Sequence, residues 1–248
     1  MHKIVFLERD SIHAQVRRPD FPHLWEEYPL TAPEDAAARL ADATIAITNK
    51  LVLHGELLNQ LPHLQMVAEA ATGTDNIDLL ACRDRGIVVS NIRGYAVHTV
   101  PEHVFMLALM LKRNVLAYRY DVAAGLWQRA DMFCFFDNPI GDLHGGTLGI
   151  VGRGSLGQGV ARIAEVFGMH VLWAERKQAI SLRPGYTAFN EVLARADVLS
   201  LHCPLDAHTR DLIGEAELRA MKPGAVLINT ARGGLVNEPA LVRALREG

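Results

Sequence analysis

Cysteine is scarce. Cys82, Cys134 and Cys203 are the only three in 248 residues, they are scattered, and no CxxC occurs. That excludes a disulfide framework and a zinc cage, and it fits a reducing compartment. A basic tract is missing as well: 25 Lys+Arg stand against 28 Asp+Glu, a net charge of -3. The electrostatic footprint of a nucleic-acid binder is therefore absent. The longest apolar run, "VFMLALML", is far short of the roughly 20 residues that span a bilayer. The opening "MHKIVFLERD" meets charge too early for a signal peptide and reads as a strand. There is no internal repeat and no low-complexity linker. The expected setting is cytoplasmic, with neither nucleic acid nor membrane as partner and no metal.

What is present is a hydrophobic half, 50% of all residues, enough for one large domain or two smaller ones. Short β-branched runs alternate with segments of helix length: "KIVFL", "ATIAIT", "LQMVAEA" and "GIVVSN", then "TLGIVG", "HVLWAE", "DVLSLHC" and "AVLINT". Buried strands separated by helices imply an α/β chain with parallel sheets, two flavodoxin- or Rossmann-like domains in succession. One long helical stretch, "HTVPEHVFMLALMLKRNVLAYRYDVAAGLWQ", divides them. Thr99 and Glu102 have capping-box spacing, and Pro101 lies in the first turn, where its missing N–H is harmless. His103, one turn beyond Thr99, is expected to pack against the glycine turn described next. We place the boundary here, giving domains 1–98 and 99–248.

"TLGIVGRGSLGQGVARIAEVFGMHVLWAER" carries the most chemistry. Gly152, Gly154 and Gly157 form G-x-G-x-x-G between a strand and a helix. In a dinucleotide-binding unit the first glycine makes the tight turn, the second lets backbone approach a pyrophosphate, and the third lets helix and strand pack. Ser155 and Leu156 open the helix whose N–H groups and dipole would hold the anion. Glu175 closes the second strand, 18 residues past Gly157, where an acid takes ribose hydroxyls. That carboxylate favours NAD over NADP. Arg176 and Lys177 directly after it would offset the repulsion of a 2′-phosphate, so NADP stays open.

"GTDNID", "VSNIRGYAVHTVPEH", "GIVGRGSLGQGVAR", "ADVLSLHCPL" and "MKPGAVLINTARGGLVNEPAL" occur together and in this order. With them, roughly residues 64–248 resemble the D-isomer-specific 2-hydroxyacid dehydrogenases, most closely the glycerate dehydrogenase (hydroxypyruvate reductase) branch. The resemblance implies a substrate domain and a nucleotide domain closing over a cleft, and hydride transfer between NAD(P)H and a small 2-oxo or 2-hydroxy acid. It makes Arg232, in "TARGG", the catalytic arginine that binds the substrate carboxylate; a bidentate guanidinium suits that task. The alternative is an arginine that caps a nearby carbonyl or pairs with Glu238. It makes Thr72 and Gly73 backbone ligands of the substrate carboxylate, with Thr72 also touching cofactor. The alternative there is a turn in which Asp75 and Asn76 cap the next helix. Thr99, Cys203, Thr230 and Ala231 match positions that line the cofactor. Asn49 and Lys50 either line the substrate side or form a solvated loop.

The family's proton donor is a histidine held by a carboxylate, several dozen residues beyond the arginine motif. The sequence reaches neither, so the chain reads as truncated, short of the last strands and of the helix that returns to the first domain. A phosphoglycerate dehydrogenase is the rival within the class, with Arg93 as its weak candidate. A non-catalytic NAD-binding adaptor, or an inactive fragment, is the rival outside it. The family habit implies a homodimer, and "VFMLALML" with "DMFCFFDNPI" suits either its interface or the domain's own core.

Overall fold

The computed structural model describes residues 1–247. The chain divides into two compact units, Met1–Tyr95 and Ala96 onward. The first holds β1 (His2–Phe6), β2 (His23–Glu27), α1 (Ala36–Leu40), β3 (Ile45–Thr48), α2 (Gly55–Asn59), β4 (Met66–Glu69), α3 (Leu79–Asp84) and β5 (Val88–Asn91). Its sheet has the order β2-β1-β3-β4-β5, and every pairing is parallel. Val5, Leu7, Leu40, Leu53, Leu58 and Val67 are fully buried between sheet and helices. Each such side chain contributes roughly 1.5–3 kcal/mol of transfer free energy.

All eight strand runs read from the sequence are strands. The ninth, β2, went unread because "HLWEE" is a half-polar edge strand without an apolar run. Pairing makes it a strand: it runs in register with β1 from His2↔His23 to Phe6↔Glu27. Lys3 pins it by bridging Glu26 at 2.9 Å and Asp42 at 2.8 Å.

The second unit holds α4 (Thr99–Lys112), α5 (Val115–Ala123), α6 (Leu126–Arg129), β6 (Thr147–Val151), α7 (Ser155–Val166), β7 (His170–Ala174), α8 (Phe189–Arg195), β8 (Val198–Leu201), α9 (Glu215–Ala220), β9 (Val226–Asn229) and α10 (Glu238–Glu247). Its sheet is also all parallel, ordered β7-β6-β8-β9. The single long helix expected here is three. Arg113 ends α4, and Asn114 takes a left-handed conformation, φ 47°, before α5 begins.

The capping box expected at Thr99 and Glu102 does not form. Thr99 is already helical, and the turn before it supplies acceptors: Val100 N–H donates to Ala96 O and Glu102 N–H to His98 O. With those donors satisfied, a side-chain cap has nothing to do. Nor does His103 pack on the glycine turn; it is exposed. Pro101 packs instead, against α7 at Gly159, where an added Cβ would stand 2.7 Å from Pro101 Cγ and 3.2 Å from Val97 O.

Candidate active site

In the second unit the chain leaves β6 for β7 on one side and returns to β8 on the other. Between β6 and β8 lies the topological switch point, outside whose carboxyl ends ligands bind in open parallel sheets. The glycine turn sits there. Gly152 has φ 103°, and a Cβ on it would come within 2.6 Å of the His202 carbonyl and 2.9 Å of Cys203 N. A Cβ on Gly157 would meet Gly152 O at 2.1 Å, so helix and turn close up only because residue 157 is glycine. At Gly154 a Cβ would meet nothing within 4 Å. That opening lies at the N-terminus of α7. Among the described residues, the N–H groups of Ser155 and Leu156 find no carbonyl there. Free N–H groups, a helix dipole and open space are what an anionic group requires.

Beside this turn lies a pocket of about 960 Å³, bordered by Gly152, Glu175, Arg183, Tyr186, Cys203 and Leu212 among others. Glu175 does not present its carboxylate freely to it. The residue is 2% exposed. Its Oε1 accepts from Arg176 N (2.8 Å) and Arg183 Nη2 (2.6 Å), and its Oε2 from Arg183 N (3.0 Å) and Nε (2.8 Å). The Arg183 guanidinium, helped by the Arg176 N–H, holds this carboxyl down at about 2. Lys177 turns away, to Glu217 at 2.9 Å, so it is not the residue that offsets Glu175. Arg183 is, and no pattern marks it in advance: it lies eight residues on, in a loop without periodicity.

Arg232 follows β9 at the carboxyl edge of the same sheet. Asn229, the last residue of that strand, shapes its approach. Asn229 Oδ1 accepts from Ala231 N (3.1 Å) and Arg232 N (3.3 Å), while Nδ2 donates to Arg232 O (2.7 Å). Arg232 Nη1 donates to Ala231 O at 2.9 Å, and the side chain is half-buried. The Thr230 hydroxyl is buried and finds no partner among the described residues, an orphan polar atom beside the arginine. Cys203 is half-buried, and burial raises its thiol pKa. Thr99, the first residue of α4, is exposed.

In the first unit, the Thr72 hydroxyl donates to Ile92 O (2.8 Å) and Asn91 Nδ2 to Thr72 O (2.7 Å), which fastens the "ATGTDN" loop to the end of β5. Gly73 follows, half-buried. Neither Asp75 nor Asn76 caps α3; Asp78 does, accepting from Ala81 N at 2.9 Å. Asn76 Nδ2 instead bridges Glu69 Oε2 (3.0 Å) and Leu51 O (3.2 Å). Asn49 and Lys50 are held by a residue that sequence reasoning passed over. The buried Glu8 carboxylate accepts from Thr48 Oγ1 and from the N–H groups of Asn49, Lys50 and Leu51, at 2.7–3.0 Å. Burial pushes the nearby Glu69 carboxyl up to about 7, and its Oε1 has no partner among the described residues.

His202 lies past the end of β8, half-buried, with Nε2 2.8 Å from the Ser200 hydroxyl. Burial lowers its pKa to about 4, so it is neutral at pH 7. No group of three His, Cys, Asp or Glu that would hold a metal occurs among the described residues.

Residues 105–248 match the family model described as D-isomer specific 2-hydroxyacid dehydrogenase, NAD binding domain. The chain is 46% identical to a glycerate dehydrogenase of Methylorubrum extorquens, over 99% of its own length and 77% of the relative's. Among solved structures, an acyclic imino acid reductase in complex with NADPH and D-Arg superposes with a TM-score of 0.84. It is 28% identical, and the match covers 99% of this chain and 79% of that one. A D-lactate dehydrogenase from Aquifex aeolicus, complexed with NAD and lactic acid, gives 0.82 at 28% identity, covering 100% and 74%.

Proposed function

The chain belongs to the D-isomer specific 2-hydroxyacid dehydrogenases, an NAD(P)-dependent oxidoreductase family, and on that premise we propose its substrate pair and its residue roles. The pair is hydroxypyruvate and D-glycerate, with glyoxylate and glycolate as the smaller alternative. The likeness to a glycerate dehydrogenase at 46% identity supports that choice. The observation that carries the site reading is that Arg232 stands at the carboxyl edge of the sheet that also presents the glycine turn.

When bound, the nicotinamide supplies or accepts the hydride. The Ser155 and Leu156 N–H groups, with Gly152, Gly154 and Gly157 leaving room, hold the pyrophosphate. Cys203, Thr99, Thr230 and Ala231 line the cofactor, and the orphan Thr230 hydroxyl gains a partner there. Arg232 binds the substrate carboxylate and polarises the 2-oxo group, and Asn229 fixes its backbone. Thr72 and Gly73 are carboxylate-binding backbone, set by the Ile92 and Asn91 contacts. His202, neutral and tied to Ser200, is not a proton donor in this scheme.

Arg232→Ala tests it. Steady-state kinetics should show kcat/KM for hydroxypyruvate falling by about 10³-fold or more, the scale of losing a charged, hydrogen-bonded partner. Nucleotide affinity, measured by calorimetry, should stay within about twofold because Arg232 serves the substrate. Turnover near wild type would remove Arg232 from the reaction.

We also place the protein in the cytoplasm and as a homodimer. No helix among the described residues is long and apolar enough to cross a membrane. Met106 and Leu111 of "VFMLALML" and Met132, Phe133, Phe136 and Ile140 of "DMFCFFDNPI", which would form the dimer contact, are exposed.

A further inference from the structure

The pocket beside Gly152 contains more cationic side chains than an unphosphorylated adenosine requires. We infer that it is built for a 2′-phosphorylated adenosine, that of NADPH, and that Arg183 is the residue that sets this preference by occupying Glu175. The inference rests on the nucleotide-pocket reading above and adds the class of nucleotide.

A carboxylate at the end of the second strand selects against a 2′-phosphate in two ways. It repels the dianion, and it rewards the free ribose hydroxyls with hydrogen bonds. Here both actions are blocked. Glu175 is 2% exposed, and its two oxygens already accept from two backbone N–H groups and from Nε and Nη2 of Arg183. To bind a ribose it would have to release a charge-assisted, two-point contact. Its charge is also cancelled at contact distance, with Arg183 Nη2 2.6 Å from Oε1.

Arg183 itself remains half-exposed while it does this. Only Nε and Nη2 are spent on Glu175, and Nη1 makes no hydrogen bond among the described residues. Its guanidinium lies over the Tyr186 ring, 3.9 Å from the centroid. The Arg153 guanidinium sits by the same ring at 5.4 Å, and by Trp173 at 5.0 Å. Arg176 and Ser181 also line the pocket, both exposed. Two guanidinium groups fixed by one aromatic ring, a third free beside them and a hydroxyl are the donors that recognise a phosphomonoester. Elsewhere in the lining, Lys177 is neutralised by Glu217, and Asp206 is occupied by the His208 and Thr209 N–H groups. The cations of the pocket lining left without an ion pair among the described residues are thus Arg153 and Arg176.

The test uses half-cofactors, so that turnover plays no part. Calorimetry of this chain with 2′,5′-ADP and with 5′-AMP should give a dissociation constant at least about tenfold lower for 2′,5′-ADP, with the gap shrinking as KCl rises. Arg183→Ala frees the Glu175 carboxylate, and the preference should fall to parity or reverse. Glu175→Gln removes the repelling charge without freeing a new one, and should keep the preference for 2′,5′-ADP. Equal or tighter binding of 5′-AMP by the wild type overturns the inference and leaves the nucleotide pocket standing. So does an unchanged ratio in Arg183→Ala, or a swing to 5′-AMP in Glu175→Gln. Binding of neither nucleotide by the wild type overturns the pocket reading and this inference with it.

Discussion

Glu69 sits at the end of β4 in an environment that suits its neutral form. It is 2% exposed and one oxygen lacks a partner among the described residues, so burial outweighs the Asn76 hydrogen bond and the Lys50 charge that favour the carboxylate. Folding therefore raises its pKa from 4.5 to about 7. A carboxyl that binds its proton more tightly when folded gives stability that is complete below pH 4.5 and lost as pH rises through about 7. On this account the protein should be more stable at pH 5 than at pH 8, by on the order of 2–3 kcal/mol from this group. Glu69→Gln, which cannot ionise, should remove most of that slope in urea melts at the two pH values. An equal slope in the variant would show that the dependence arises elsewhere. Glu8 is buried to a similar degree and accepts from four donors.

The strand–turn–helix from β6 into α7 separates two uses of glycine. At Gly157 the space is filled by the molecule itself, with Gly152 O 2.1 Å from where a Cβ would stand. At Gly154 the space is empty. Gly157→Ala should therefore destabilise the fold, by about 3 kcal/mol, the upper range for forcing an atom into packed structure. Gly154→Val should leave the melting temperature nearly unchanged and abolish nucleotide binding, because the new side chain fills the room left for the pyrophosphate. Differential scanning calorimetry with and without nucleotide separates the two. A Gly154→Val protein that still binds nucleotide would move the phosphate site away from α7. The same element shows why the three-glycine motif was readable. Gly157 answers to a neighbour five residues away and Gly152 to the residues just past the adjoining strand. Arg183 answers to a carboxylate across a loop, and no spacing rule encodes that.

At the scale of the molecule, the apolar surface is distributed unevenly. In α4, Val104, Phe105 and Ala108 are buried, but Met106 and Leu111 face outward. Leu116 and Tyr120 in α5 and Trp127 in α6 are exposed, and in "DMFCFFDNPI" Phe133 is 87% and Phe136 75% exposed. Isolated exposed apolar residues are ordinary, whereas a concentration in consecutive elements is the pattern the proposed homodimer would bury. Of the two sequence readings, internal core describes most of "VFMLALML", whose Val104, Phe105 and Ala108 are buried, while the exposed Phe133 and Phe136 of "DMFCFFDNPI" leave that segment available to the proposed dimer contact. Sedimentation velocity should find a dimer, and the double variant Phe133→Asp/Phe136→Asp should shift it to monomer while nucleotide binding persists. A dimer unaffected by both substitutions would place the contact on another face.

Much of the architecture was determined by the sequence alone, because parallel strands buried on both faces must be continuous apolar runs. Hence eight of nine strands, the order of two αβ units, and a dinucleotide turn between strand and helix could be read directly. The arginine of "TARGG" stood out for a similar reason, since charge placed immediately after a buried strand needs a partner, but its proposed task comes from the resemblance. Only the tertiary structure decided what depends on partners distant in sequence. The half-polar β2 exists through its register with β1, and α4 breaks at a left-handed Asn114. The turn before Thr99 satisfies the helix start without a capping box. The acid at the end of β7 was visible from its spacing, and its meaning was not. A carboxylate's preference is set by what else binds it, and only the fold brings Arg183 to Glu175.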